Sequence, residues 1–69
     1  MYKLTVIRKG STYIHISEHN TISEAVDALS GAVVMRISKR QTDKIADDVR
    51  LYNECNWNHK NFTMSLESV

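Results

Sequence analysis

Apolar and polar positions alternate in short runs at both ends of the chain. Leu4 and Val6 alternate with Lys3 and Thr5 between Tyr2 and Ile7, and Ile14 and Ile16 alternate with Tyr13, His15 and Ser17 between Thr12 and Ser17. A period of two predicts strands. Between them Arg8-Lys9-Gly10-Ser11 offers a glycine able to adopt positive φ, which predicts an antiparallel hairpin. Thr21-Ile22-Ser23-Glu24 then fits a capping box, in which the threonine hydroxyl and the glutamate satisfy each other's backbone amides. Ile22, Ala25, Val26 and Leu29 follow at helical spacing, and Gly31 marks an expected stop.

From Ala32 to Ser38 the chain is β-branched and alternating, with Val33, Met35 and Ile37 on one side and Val34, Arg36 and Ser38 on the other, so a third strand is expected there. A second helix is expected from about Gln41 to Glu54, with Ile45, Val49 and Tyr52 as its apolar stripe. Phe62, Met64 and Leu66 predict a last strand. The pattern is an α+β two-layer sandwich of order ββαβαβ, with a mixed four-stranded sheet covered by two helices on one face. Its inward side takes Ile14 and Ile16 together with Leu4, Val6, Val33, Met35, Ile37, Phe62, Met64 and Leu66. The open side is expected to carry Lys3, Thr5, Ile7, Tyr13, His15, Val34, Arg36, Thr63 and Ser65.

Sixty-nine residues make a single domain, residues 1–69, whose small core leaves little room for a deep cleft. The net charge of +1 creates no overall field toward nucleic acid or acidic membranes, so any such role rests on a local patch. One cysteine excludes an internal disulfide, and the opening residues lack the apolar stretch of a signal peptide, which points to a cytoplasmic setting. No run approaches the roughly 18 apolar residues of a membrane span.

The residues from Tyr52 to Asn61 gather the only tryptophan, the only cysteine and one histidine among asparagines. Trp57 has two readings: a ring closing the end of the core, or an exposed anchor for a partner, extended by His59. His15, His19, Cys55 and His59 have the donor types of a zinc site. Their spacing opposes one: along an extended strand His15 and His19 are roughly 13 Å apart, at about 3.3 Å per residue. No metal or cofactor is expected. Cys55 lacks the glycine-rich turn and orienting groups that a thiol nucleophile needs, so no catalytic residues are assigned. Asp43, Asp47 and Asp48 lie among Lys44 and Arg50, the pattern of a solvated helix face.

Two non-enzymatic functions follow. The first is a protein-binding module, monomer or homodimer, using Trp57, Tyr13, His15, Arg36 and His59. The alternative is nucleic-acid binding through Arg36, Lys39, Arg40 and Lys44, at the expected start of the second helix, with bases stacked on the open sheet face. The hairpin, the Thr21-x-x-Glu24-Ala25 helix start and the strand led by Gly31 together resemble the short hairpin-helix-strand inhibitors that bacteriophages make against host enzymes such as RNA polymerase. This resemblance covers residues 2–39 and implies a phage-type modulator of a host macromolecular machine.

Overall fold

The computed structural model describes all 69 residues. They form β1 (Tyr2–Arg8), β2 (Ile14–His19), α1 (Ile22–Val33), α2 (Lys39–Tyr52), β3 (Glu54–Asn58) and β4 (Phe62–Ser68). The α+β class, the count of four strands and the single layer of two helices are as the pattern predicts. The strands lie in the order β2-β1-β4-β3, and every pairing is antiparallel. The sheet is therefore not mixed, and the helices follow one another directly, giving ββααββ.

Two local misreadings account for the difference. Ala32 and Val33 also continue the helical spacing of Leu29, and helix wins there: Ala32 is buried in the core and α1 runs through Gly31. No strand forms at 32–38, which also removes the strand from the likeness between residues 2–39 and the hairpin-helix-strand inhibitors. Conversely, the asparagine-rich segment expected as a crossover is β3. Cys55 and Trp57 point inward while Glu54, Asn56 and Asn58 point out, and β4 supplies the hydrogen-bonding partner that offsets asparagine's weak strand preference.

The core joins Leu4 and Val6 of β1 and Phe62, Met64 and Leu66 of β4 to Ala25, Val26, Leu29 and Ala32 of α1 and Ile45 and Val49 of α2. At the sheet centre Leu4 lies opposite Leu66 and Val6 opposite Met64. α1 rests on β1 and β2 and α2 on β3 and β4, while the helices scarcely meet each other. Tyr52, expected in the apolar stripe of α2, is exposed at its end.

The caps show why the helices sit where they do. Thr21 Oγ1 accepts from the Glu24 amide at 3.1 Å, and Glu24 Oε2 accepts from the Asn20 amide at 3.3 Å, one residue earlier than the reciprocal box requires. Ser38 Oγ accepts from the Gln41 amide at 3.1 Å and starts α2; Asn53, left-handed at φ 62°, ends it. α1 ends in a Schellman arrangement, with the Met35 amide donating to Ser30 O at 3.2 Å and the Val34 amide to Gly31 O at 3.3 Å. The left-handed residue is Val34, at φ 52° and ψ 47°, three residues beyond the expected stop at Gly31.

A β-branched residue in that conformation stores about 1–2 kcal/mol. Val34 is 78% exposed, so removing its side chain forfeits little packing. Val34→Gly is expected to stabilise the protein by about 1 kcal/mol after allowing for the added freedom of glycine in the unfolded chain. Gly31 is helical with open space around its missing Cβ, and Gly31→Ala adds a further ~0.5–1 kcal/mol. Urea unfolding of the single and double variants checks both; Tm should rise by roughly 4–8 °C per kcal/mol.

Candidate functional site

The hairpin register decides which side chains face solvent. Val6 pairs with His15, Leu4 with Ser17 and Ile7 with Ile14, so residues of β2 share the face of their β1 partners. Because Leu4 and Val6 point to the helices, His15, Ser17 and His19 do too, and Ile14, Ile16 and Glu18 point away. This reverses the expected orientation of β2: Ile14 and Ile16 are not core residues, and Tyr13 and His15 do not lie on the open face. The cause is loop length, since the turn fixes the parity of the pairing whatever the hydrophobicity of the residues.

The open face is thus built from Lys3, Thr5 and Ile7 of β1, Ile14, Ile16 and Glu18 of β2, Glu54, Asn56 and Asn58 of β3, and Thr63, Ser65 and Glu67 of β4. Ile7, Ile14 and Ile16 are 44%, 58% and 62% exposed. Ile14 lies directly beside Ile7 and Ile16 beside Thr5, which makes one apolar ridge along β2. Next to the ridge, over β1, β4 and β3, lies a shallow groove of about 360 Å³. It is lined by Thr5, Thr63, Ser65, Asn56 and Asn58 together with Ile7, Trp57 and Met64. The cations of this face are Lys3 and, held on Asn58 Oδ1 at 2.6 Å, Lys9, against Glu18, Glu54 and Glu67.

The residues expected to bind a partner do not form one surface. Trp57 is half-buried on the helix side of β3, edge-on to Phe62 with ring centroids 5.0 Å apart, and His59 stacks on the other side of the same cluster, 4.7 Å from Phe62. The ring closes one end of the core. Tyr13 lies beneath Arg8, whose guanidinium carbon is 4.4 Å from the ring centroid and whose Nε donates to Ala32 O at 3.0 Å. Arg36 is exposed on the helix layer, across the molecule from the open face.

The basic residues Arg36, Lys39, Arg40 and Lys44 are likewise on the helix side. Arg36 lines a groove of about 380 Å³ left between the splayed helices, opposite Asp27, Asp43 and Arg50. Lys44 is held by Asp48 at 3.2 Å. Basic cluster and sheet platform thus face opposite directions.

Cys55 is buried, and its thiol donates to Asp48 Oδ2 at 3.6 Å. Burial, reinforced by the Asp48 carboxylate, pushes the thiol up to about 11, so at neutral pH it is protonated and not nucleophilic. His59, its expected companion, is engaged with Phe62. No three His, Cys, Asp or Glu side chains converge as a metal site. A feature that the sequence pattern did not suggest is the bridge formed by Ser17: its Oγ is 2.9 Å from His15 Nε2 and 2.6 Å from His19 Nε2. The tautomers of the two rings decide whether the hydroxyl accepts from both imidazoles or donates to one of them. A serine between two bases is the raw material of a nucleophile, but neither groove reaches it, so nothing there seats a substrate. The inward parity of β2 was the signal that would have found this bridge.

No family model, curated protein or solved structure matches the chain.

The Cys55 surroundings make a direct prediction. A thiol whose pKa is raised on folding stabilises the native state below its ordinary value near 9 and loses that contribution as pH rises toward about 11. Stability should therefore fall more steeply between pH 9 and 11 in the wild type than in Cys55→Ala. At neutral pH a thiol reagent such as dithionitrobenzoate should label Cys55 only at the rate of unfolding, and rapid labelling of the native protein would contradict the burial.

Proposed function

We propose that the protein is a non-enzymatic protein-binding module whose contact surface is the open face of the sheet. One observation carries this reading: β2 turns Ile14 and Ile16 to solvent and keeps His15, Ser17 and His19 on the inner side. Burying an isoleucine stabilises a fold by about 1.5–3 kcal/mol, so a small domain that leaves three exposed together forgoes stability it can ill spare. Departures of that kind concentrate where function competes with folding.

The neighbouring groove completes the character of an interface, an apolar ridge beside adaptable hydroxyls and amides. The cations of the face, Lys3 and Lys9, are outnumbered by its three glutamates, which disfavours phosphate and suits a neutral or basic protein surface. It argues against nucleic acid as the ligand of the sheet.

The test is affinity capture from an extract of cells that produce the protein, comparing wild type with Ile7→Arg. Ile7 is partly exposed and lies away from the sheet edge, so the variant should keep the wild-type circular dichroism spectrum. A specific protein retained by the wild type and lost, by tenfold or more, on the variant is the expected result. Equal retention by both, or none by either, would remove this reading.

A further inference from the structure

The two free edges of the sheet are unlike, and the difference points to a second copy of the chain. The Arg8 amide donates to Tyr13 O at 3.2 Å, which sets the phase of the β1–β2 ladder. Residues 13, 15, 17 and 19 bond inward to β1, and the amides and carbonyls of Ile14, Ile16 and Glu18 are left pointing out of the sheet. This edge is continuous, without a bulge, lysine or proline, the devices that usually block pairing. At the other edge the outward backbone groups belong to Glu54, Asn56 and Asn58, as the bonds from the His59 amide to Phe62 O and from the Ser68 amide to Asn53 O show. That edge has five residues against six and, like β2, one glutamate, but its other outward side chains are asparagines and Lys9 Nζ is fixed on Asn58 Oδ1 at 2.6 Å.

We infer that two copies pair antiparallel through β2 about a two-fold axis at His15, making one eight-stranded sheet. This register satisfies the free backbone groups of Ile14 and Ile16 reciprocally and sets Ile14 of each copy beside Ile16 of the other. It extends the apolar ridge across the axis and gives the two cross-strand pairs a sheet favours. The inference goes beyond the protein-binding reading and does not depend on it.

Sedimentation velocity from micromolar to near-millimolar protein tests it. A reversible dimer is expected for the wild type, with the dissociation constant raised more than about tenfold by Ile16→Lys. Asn56→Lys, the same change at the other edge, should leave the dimer intact, and circular dichroism confirms that each variant is folded. Register is read by oxidation in a Cys55→Ala background. His15→Cys sits opposite itself at a Cα separation of about 4.5 Å and should form a disulfide-linked dimer. Ile16→Cys, displaced by two residues to about 7–8 Å from its counterpart, should not. A monomer at every concentration, a dimer indifferent to Ile16→Lys, or cross-linking through position 16 in place of 15 would overturn the inference. None of these outcomes bears on the capture of another protein through Ile7.

Discussion

The fold depends on one long-range pairing, that of β1 with β4. Leu4 against Leu66 and Val6 against Met64 place four buried side chains on the helix face of the two central strands. Everything else attaches to that seam. β2 and α1 belong to its β1 side, α2 and β3 to its β4 side, and the helices are related through the strands beneath them rather than through each other. The groove between the helices follows, because each helix rests on its own side of the seam and neither packs closely on the other.

Much of this was legible in the residue pattern, for reasons that also explain the failures. β1 and β4 each bury one side against a full core and solvate the other, so alternation and facing agree. The helix starts were readable because Thr21 and Ser38 cap by local chemistry that owes nothing to distant contacts. Residues 32–38 failed because Ala32 and Val33 satisfy both the two-residue and the helical period, and only the core decides between them. β3 failed in the opposite sense. Asparagine disfavours strands in isolation, yet the alternation of Cys55 and Trp57 with polar neighbours was visible, and β4 was waiting as its partner.

β2 is the instructive case, since its existence was legible and its orientation was not. Hydrophobicity places Ile14 and Ile16 inward; the hairpin loop places them outward, and covalent parity outranks transfer free energy along a single edge strand. The inner side of the strand is then filled by a polar group of its own. Ser17 bridges the Nε2 atoms of His15 and His19, and no buried side-chain donor or acceptor is orphaned. The half-polar edge is stable without its isoleucines, which leaves them free for contact. Trp57, the rarest residue in the chain, ends up with a structural role, closing the core with His59 and Phe62 where β3 turns into β4.

The seam between β1 and β4 also governs how the protein comes into being. Partners across it lie about as far apart in sequence as the chain allows: Tyr2 meets Ser68, and the Val69 amide donates to Met1 O at 2.9 Å. During synthesis on a ribosome the amino-terminal hairpin and α1 emerge first, with half of their core partners not yet made. They have no buried seam to settle on and hold at best fluctuating structure. Translation of β4, rather than the appearance of any earlier element, is the event that lets this chain fold.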